Sequence, residues 1–358
     1  MKEKKILIVD FNGTSAIYTH YLSNGLKCSN VEVFILGKKK PPFLDVFKET
    51  NTYLGVNTGL KLIDYLLNWI WLLLNFKKFD GIVIQWLQLL RYFSFEVYLV
   101  SFLQKKIPVI YIVHNLYPHN NENFKIKKRY NLLYNKVKNI AVQTKNIKTI
   151  IHKINGKSNI IKIQHGLFFK EFRKPIFNSN SNNCLIIGYI SKYKGIEDAI
   201  EVAKMLKESQ ESFFLEIIGY GEPNYIEALN KRVLDYNLSD RIKIYPNEVS
   251  TNFLIKKIVE ASMLWLPYKE ISQSGVAYTS IGLGVPFVAY NVGNFKEAFG
   301  TGKVVEIVEK DNVIDFCKSV QKVLRNNGSY RNNINKFFPD DLWSTNSILI
   351  KEMFRNVK

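Results

Sequence analysis

Short, continuous apolar runs alternate with longer stretches of helical periodicity along the whole chain. Continuous runs of this kind mark parallel strands buried on both faces, whereas half-exposed strands alternate apolar with polar residues. In the first half they predict strands at residues 6–11, 31–36, 81–86, 108–114, 139–144 and 160–165, with helices such as 15–26, 60–75 and 96–104 between them. The second half repeats the scheme, with strands at 185–190, 213–218, 242–245, 263–267, 286–290 and 304–308, and helices at 196–209, 225–236, 252–261 and 314–326. Two successive βα series predict an α/β protein of two doubly wound, Rossmann-like domains. Ligands of such sheets bind beyond the carboxyl ends of the strands, so two facing domains predict an interdomain cleft lined by strand-end motifs.

The length of 358 residues is too great for one ordinary core, and 47% hydrophobic with 23% charged residues excludes disordered and fibrous classes. The polar run Asn178-Ser179-Asn180-Ser181-Asn182-Asn183, just after Lys174-Pro175, cannot build a core and reads as the linker. The expected domains are therefore 1–174 and 175–337, with a terminal helix at 338–358 packing back on the first domain. Met1 to Lys5 leads straight into Ile6-Leu7-Ile8-Val9, a first strand rather than a signal peptide. Cys28, Cys184 and Cys317 lie far apart, which fits neither a disulfide framework nor a zinc site and implies a reducing compartment. No stretch reaches the roughly 18 uncharged apolar residues of a membrane span; the nearest, residues 65–76, ends at Lys77-Lys78.

Charge separates the halves. Residues 1–174 hold 28 Lys and Arg against 10 Asp and Glu, a balance of +18, while residues 175–358 hold 22 against 21. A basic half points to a polyanionic partner such as nucleic acid, an anionic membrane or a phosphorylated substrate. Aromatic residues fall mainly in apolar helical runs and no recognition motif appears, so nucleic acid is not expected. The segment 60–76 carries Trp69, Trp71 and five leucines beyond Tyr65, and 87–103 carries Tyr92, Phe93, Phe95, Tyr98 and Phe102 before Lys105-Lys106. Aromatics beside lysines suit an anionic lipid interface; the alternative is core helices, the favoured reading for 96–103.

Two strand-to-helix loops carry phosphate-suited chemistry. In Gly188-Tyr189-Ile190-Ser191-Lys192-Tyr193-Lys194-Gly195 a strand ends, two lysines and a glycine follow, and a helix opens. Lysine charge combined with free N–H groups at a helix N-terminus suits a phosphate, although ordinary βα loops also carry surface lysines. In Pro267-Tyr268-Lys269-Glu270-Ile271-Ser272-Gln273-Ser274-Gly275 another strand gives way to a polar turn and an apolar helix. Gly275 admits a ligand close to the backbone, and Ser272, Gln273 and Ser274 offer donors; Ser274 is equally a good N-cap.

These runs, together with 267–291 and the terminal 338–354 segment, resemble nucleotide-sugar glycosyltransferases of the GT-B fold. They are most similar to family 4 glycosyltransferases of bacterial surface-polysaccharide assembly. His114-Asn115-Leu116-Tyr117-Pro118-His119 and Gln164-His165-Gly166 resemble further turns of that family. The resemblance implies that Lys194 contacts the donor diphosphate, with Lys192 standing in for an arginine this chain lacks, and with Ser274 and Gly275 nearby. It also implies that Gly188, the Gly219-Tyr220-Gly221-Glu222 turn, Gln273 and Thr279 lie near the nucleotide or sugar. Ile271 and Thr279 occupy the positions of the family's paired glutamates, which leaves the ribose contact and the stereochemistry open. Glu270 stands one residue off.

His114 closes a predicted strand, with Asn115 and His119 on the same loop. A histidine here can contact sugar or phosphate, act as a base near pH 7, or simply hydrogen-bond within the fold. Asp10 and Glu122 are alternative bases. Gly13, Asn115, His119 and His165 are expected to support the acceptor side, whereas His20 and His152 read as surface helix residues. No Gly-x-Gly-x-x-Gly follows the first strand, which argues against a dinucleotide enzyme, and no Asp-x-Asp appears, so no metal and no cofactor are expected. The expected protein is a metal-independent hexosyltransferase moving a sugar from a nucleotide-diphosphate sugar to a saccharide, carried on a polyprenyl diphosphate. It would work in the cytoplasm, peripheral on the inner face of the plasma membrane, in polysaccharide or lipooligosaccharide synthesis. The alternative is an inactive sugar-binding or partner subunit of the same fold.

Overall fold

The structure, a computed structural model, describes residues 3–27, 31–39, 43–48, 51–118, 123–174, 182–338 and 342–355. The chain divides into two compact units, one of residues 1–166 with 341–358 and the other of 167–340.

The first unit contains β1 (Lys4–Asp10), β2 (Val31–Gly37), β3 (Thr52–Leu54), β4 (Gly81–Ile84), β5 (Val109–Val113), β6 (Asn139–Val142) and β7 (Asn159–Lys162). They form one parallel sheet in the order β3-β2-β1-β4-β5-β6-β7. Its central strands are buried on both faces, as their unbroken apolar runs require. Strand β3 was not expected: three residues, none fully buried, give no period to read, and the edge pairing Ile35↔Tyr53 makes it a strand.

The second unit holds β8 (Asn183–Ile187), β9 (Phe214–Ile218), β10 (Ile242–Tyr245), β11 (Met263–Leu266), β12 (Phe287–Tyr290) and β13 (Glu306–Val308). Their order is β10-β9-β8-β11-β12-β13, again all parallel. Each order reverses direction at its first strand, between β1 and β4 and between β8 and β11. That switch point is where a doubly wound sheet opens a crevice for ligand.

The division falls at Gly166–Leu167 rather than at 174–175, and the physical reason is local. Arg173 donates from Nε to the Gly282 carbonyl at 2.9 Å and from Nη2 to that of Ile281 at 3.0 Å, fastening the segment before the linker to the second unit. A Cβ on Gly282 would collide with the Phe168 carbonyl oxygen. Residues 178–181 of the expected linker, and Cys28, lie outside the described residues. The last helix, Leu342–Arg355, packs on helix Ala16–Lys27 of the first unit, where Gly25 leaves room for Trp343 and Ser347. Asn346 Oδ1 accepts from the Gln164 N–H at 2.9 Å.

Candidate functional site

In the second unit the two phosphate-suited loops follow the adjacent strands β8 and β11. After Ile187 the chain turns at Gly188, whose φ of +97° favours glycine, and reaches a single 3-10 turn at Lys192–Lys194. Gly195 has a φ of +63°, and a Cβ there would strike the carbonyl oxygen of Pro267 at the end of β11. Only glycine lets the two loops approach this closely before helix Ile196–Glu208 begins.

Lys194 does not lie on the surface. It is 3% exposed, and its Nζ donates to the Ile187 carbonyl at 2.8 Å and to the Tyr268 hydroxyl at 3.2 Å. Nζ also stands 4.8 Å from the centroid of the Tyr268 ring. Burial lowers its pKa from the usual lysine value, against a smaller opposing influence of Tyr193. Among the described residues no carboxylate lies within ion-pair distance of this ammonium. Tyr268 is itself buried, and six residues later Ser274 caps helix Gly275–Gly282 by accepting from the Ala277 N–H at 3.3 Å. One tyrosine therefore joins the two loops. A buried Ser191 Oγ and the Gln273 amide nitrogen have no partner among the described residues, and Gly275 is exposed, its virtual Cβ meeting only Phe168 at 3.8 Å.

Lys269 holds this arrangement from behind. Its Nζ bridges Asp198 at 2.5 Å and Asp311 at 2.6 Å, its N–H donates to the Tyr193 carbonyl at 2.7 Å, and Tyr290 donates to Asp198 at 2.6 Å. Neither Tyr268 nor Lys269 was singled out from sequence, because the only available signal was their position just after a strand end. Of the remaining candidates, Lys192 and Glu222 are exposed, Gly188 and Gly221 are half-buried, and Thr279 is buried in its helix. Gly219 and Gly221 are required by packing, since a Cβ on either would meet the carbonyl oxygen of Gly188 or Ile190. Ile271 is half-buried and Glu270 exposed.

In the first unit the switch point gathers Asp10, Gly13, Gln85, Trp86 and His114 from the ends of β1, β4 and β5. Asp10 is buried and accepts from the Thr14 N–H at 2.9 Å, the Ser15 N–H at 3.1 Å and the Thr19 hydroxyl at 3.0 Å. Burial raises its pKa despite these three bonds. The carboxylate thus anchors a turn, in which Gly13 takes a φ of +66°. His114 is half-buried, and burial first, with His165 second, lowers its pKa to about 3. That shift favours the neutral imidazole at physiological pH. His165 donates from Nδ1 to the Gly166 carbonyl at 2.8 Å and is likewise held neutral by burial. Asn115 is half-buried beside His114, whereas His119 and Glu122 lie outside the described residues. His152 is exposed as expected; His20 is buried, its ring stacked 4.2 Å from that of Phe47.

A different face of the first unit is apolar. Helix Lys61–Asn75 buries Tyr65, Asn68, Trp69 and Leu72 and leaves Leu62, Ile63, Leu66, Ile70 and Leu74 outward, Leu74 at 78% exposure. Helix Phe95–Leu103 is not the core helix expected: Val97, Val100 and Leu103 are buried, but Tyr98 is 58% and Phe102 46% exposed. The helices adjoin, since buried Glu96 accepts from the Tyr65 hydroxyl and, at 3.2 Å, from the Trp69 indole, and the rings of Phe76 and Phe102 lie 6.2 Å apart. Lys61, Lys77, Lys78, Lys105 and Lys106 are exposed at the helix ends. Among the described residues, no helix is long and apolar enough to cross a membrane, and no group of three or more His, Cys, Asp or Glu side chains could hold a metal ion.

Comparison with known proteins agrees with this architecture. Residues 168–337 match the family of glycosyl transferases group 1. Comparison with curated proteins returns no match. Among solved structures, sucrose-phosphate synthase from Thermosynechococcus elongatus is 14% identical with a TM-score of 0.74, the match covering 99% of each chain. HepE from Anabaena, in complex with UDP and glucose, is 13% identical with a TM-score of 0.72 over 99% of this chain and 100% of that one. WaaG, a glycosyltransferase involved in lipopolysaccharide biosynthesis, is 12% identical with a TM-score of 0.65 over 97% and 99%. Identities this low establish a likeness of fold. The protein accordingly has the GT-B fold, and its residues 168–337 are similar to the group 1 glycosyl transferases.

Proposed function

We propose that the protein transfers a sugar from a nucleotide-diphosphate sugar to a saccharide carried on a polyprenyl diphosphate, in cell-surface polysaccharide or lipooligosaccharide synthesis. The observation that carries the donor reading is Lys194: a buried ammonium with no carboxylate partner among the described residues, bonded to Tyr268 of the loop that leads into helix Gly275–Gly282, whose first residue is exposed. An uncompensated buried charge is costly, and a diphosphate would supply the missing anion. The same lysine and helix start would stabilise the departing nucleotide diphosphate, so transfer needs no divalent metal. Because HepE was solved with UDP and glucose, a UDP-sugar is the first donor to try.

The acceptor and location readings rest on the first unit. An apolar face edged by exposed lysines, on the half of the chain with a balance of +18, suits the inner face of an anionic membrane. A lipid-linked saccharide would be met there. A second reading, an inactive sugar-binding or partner subunit, is favoured by Ile271 and Thr279 at the usual glutamate positions. Release of nucleotide diphosphate across a panel of nucleotide sugars, with and without lipid-linked oligosaccharide and with a chelator, tests these readings. Acceptor-dependent release that survives chelation is expected. Tight donor binding with no release for any pair would establish the second reading, and loss of release with chelator would end the metal-independent one.

A further inference from the structure

His114 ends a buried chain of polar side chains. Its Nε2 lies 3.1 Å from Gln85 Oε1, Gln85 Nε2 lies 2.5 Å from Thr19 Oγ1, and Thr19 Oγ1 lies 3.0 Å from Asp10 Oδ2. Gln85, Thr19 and Asp10 are all buried, and the four residues come from the ends of β1, β4 and β5 and from helix Ala16–Lys27. A full set of hydrogen bonds in a buried chain fixes the direction in which each donates.

The direction starts at Asp10. Its carboxylate already receives two main-chain N–H groups, and in ionised form it can only accept, so Thr19 must spend its single proton there. The Thr19 oxygen then accepts from the Gln85 amide nitrogen, which turns the Gln85 carbonyl oxygen toward the imidazole. An acceptor at that place requires a proton on His114 Nε2. Neutral imidazole carries one N–H, so Nδ1 keeps its lone pair. The ring is held in place: Trp86 stacks on it at 5.0 Å and 9°, Tyr18 meets it edge-on at 4.8 Å, and Trp86 Nε1 donates to Ser15 Oγ at 2.5 Å. The titratable groups facing the ring are Tyr18, in ring contact, and His165, which acts electrostatically; Asp10 acts through the chain.

We propose that Asp10, Thr19 and Gln85 lock His114 as the Nε2–H tautomer, so that Nδ1 accepts a hydrogen bond from a hydroxyl of the saccharide substrate. Thr19 and Gln85 are then positioning residues acting through His114. The substrate half of this inference rests on the transferase reading, whereas the tautomer half does not.

Nitrogen NMR of histidine-labelled protein, with the His114 signals assigned by their loss in His114→Asn, reads the tautomer directly. At pH 7.5 the wild-type protein should show a protonated Nε2 and an unprotonated Nδ1. Thr19→Val removes the hydroxyl at nearly constant shape and should give a mixture of tautomers; Thr19→Ser should restore the single form. With the donor and acceptor identified by the panel, kcat/KM should fall about tenfold in Thr19→Val, the scale of one hydrogen bond, and recover in Thr19→Ser. A wild-type Nδ1–H tautomer, or a Thr19→Val spectrum identical to wild type, overturns the chain. If Thr19→Val does not fold, the wild-type spectrum still decides. The expected tautomer with unchanged turnover in Thr19→Val overturns the substrate role alone. An Nε2–H spectrum in a protein with no transferase activity upholds the lock while the transferase reading fails.

Discussion

The ammonium nitrogen of Lys194 lies 3.2 Å from the hydroxyl oxygen of Tyr268, six residues before the helix cap Ser274. A buried lysine is thus tied to the loop that opens helix Gly275–Gly282. Lys194→Met should separate its two effects. Affinity for the cognate nucleotide diphosphate, measured by calorimetry, should fall by about 1.5–3 kcal/mol, the scale of a charge-assisted hydrogen bond. Thermal stability without ligand should rise, because an apolar chain replaces a buried ammonium lacking a carboxylate partner among the described residues. Tyr268→Phe should cost affinity about 0.5–1.5 kcal/mol. Unchanged binding in the Lys194 variant would remove this lysine from the donor site.

Gly195 is the geometric condition for that approach. Gly195→Ala places a methyl group against the Pro267 carbonyl oxygen at a φ of +63°. Denaturant unfolding should show a loss of roughly 1–3 kcal/mol, the range for a strained backbone position, and donor binding should weaken with it. A variant as stable as wild type would show that the loop relaxes freely.

The apolar face should insert only where lipid is anionic. Replacing Leu66 and Ile70 by Asp should abolish vesicle flotation, and Lys77→Glu with Lys78→Glu should weaken it by about 1 kcal/mol per charge removed, while leaving the fold intact. Equal flotation on neutral vesicles counts against the electrostatic share. Concentration-dependent dimerisation lost in the Asp variant would make the face a contact between copies instead.

Glu96 gives a pH dependence of stability in the neutral range. Burial raises its pKa from the ordinary 4.5 to about 7, more than the bonds from Tyr65 and Trp69 lower it. Between those values the folded protein holds a proton the unfolded chain has lost, so stability falls as pH rises through the window, by about 3 kcal/mol in all. Glu96→Gln keeps an acceptor for Tyr65 and Trp69 without the charge. It should melt higher than wild type at pH 8 and near it at pH 4.

The buried histidines act in the opposite direction. His20 is lowered to about 4 by burial and then Lys27, and His165 to about 4 by burial against its bond to Gly166; His114 is lower still. Below their ordinary 6.5 the unfolded chain binds protons that the folded state refuses, so this stability is whole above pH 6.5 and drains as pH falls toward 4. His20→Gln should flatten the acid limb of the melting curve. An unaltered slope would place His20 in contact with water.

The turns that hold Lys194, Gly195 and Ser274 were legible in the chain because a strand-to-helix loop is a local pattern: strand end, polar turn, glycine, helix start. His20 was misread for the complementary reason. A histidine amid polar neighbours gives no sign that Phe47, from another segment, will stack on it. Helix Phe95–Leu103 has apolar residues all round, so its period could not say which side would stay in water.

The alternation of strand and helix, hence two parallel sheets, is readable along the chain, because burial on both faces imposes continuous apolar runs. Which polar groups meet depends on how the segments pack. Tyr268 reaches Lys194 across 74 residues, and Gln85 reaches Thr19 across 66. The boundary at Gly166–Leu167 was set in the same way, by Arg173 bonding to carbonyls more than a hundred residues onward. Hydrophobic periodicity records how each segment faces a core, whereas hydrogen-bond pairing depends on strand order, which no single segment encodes.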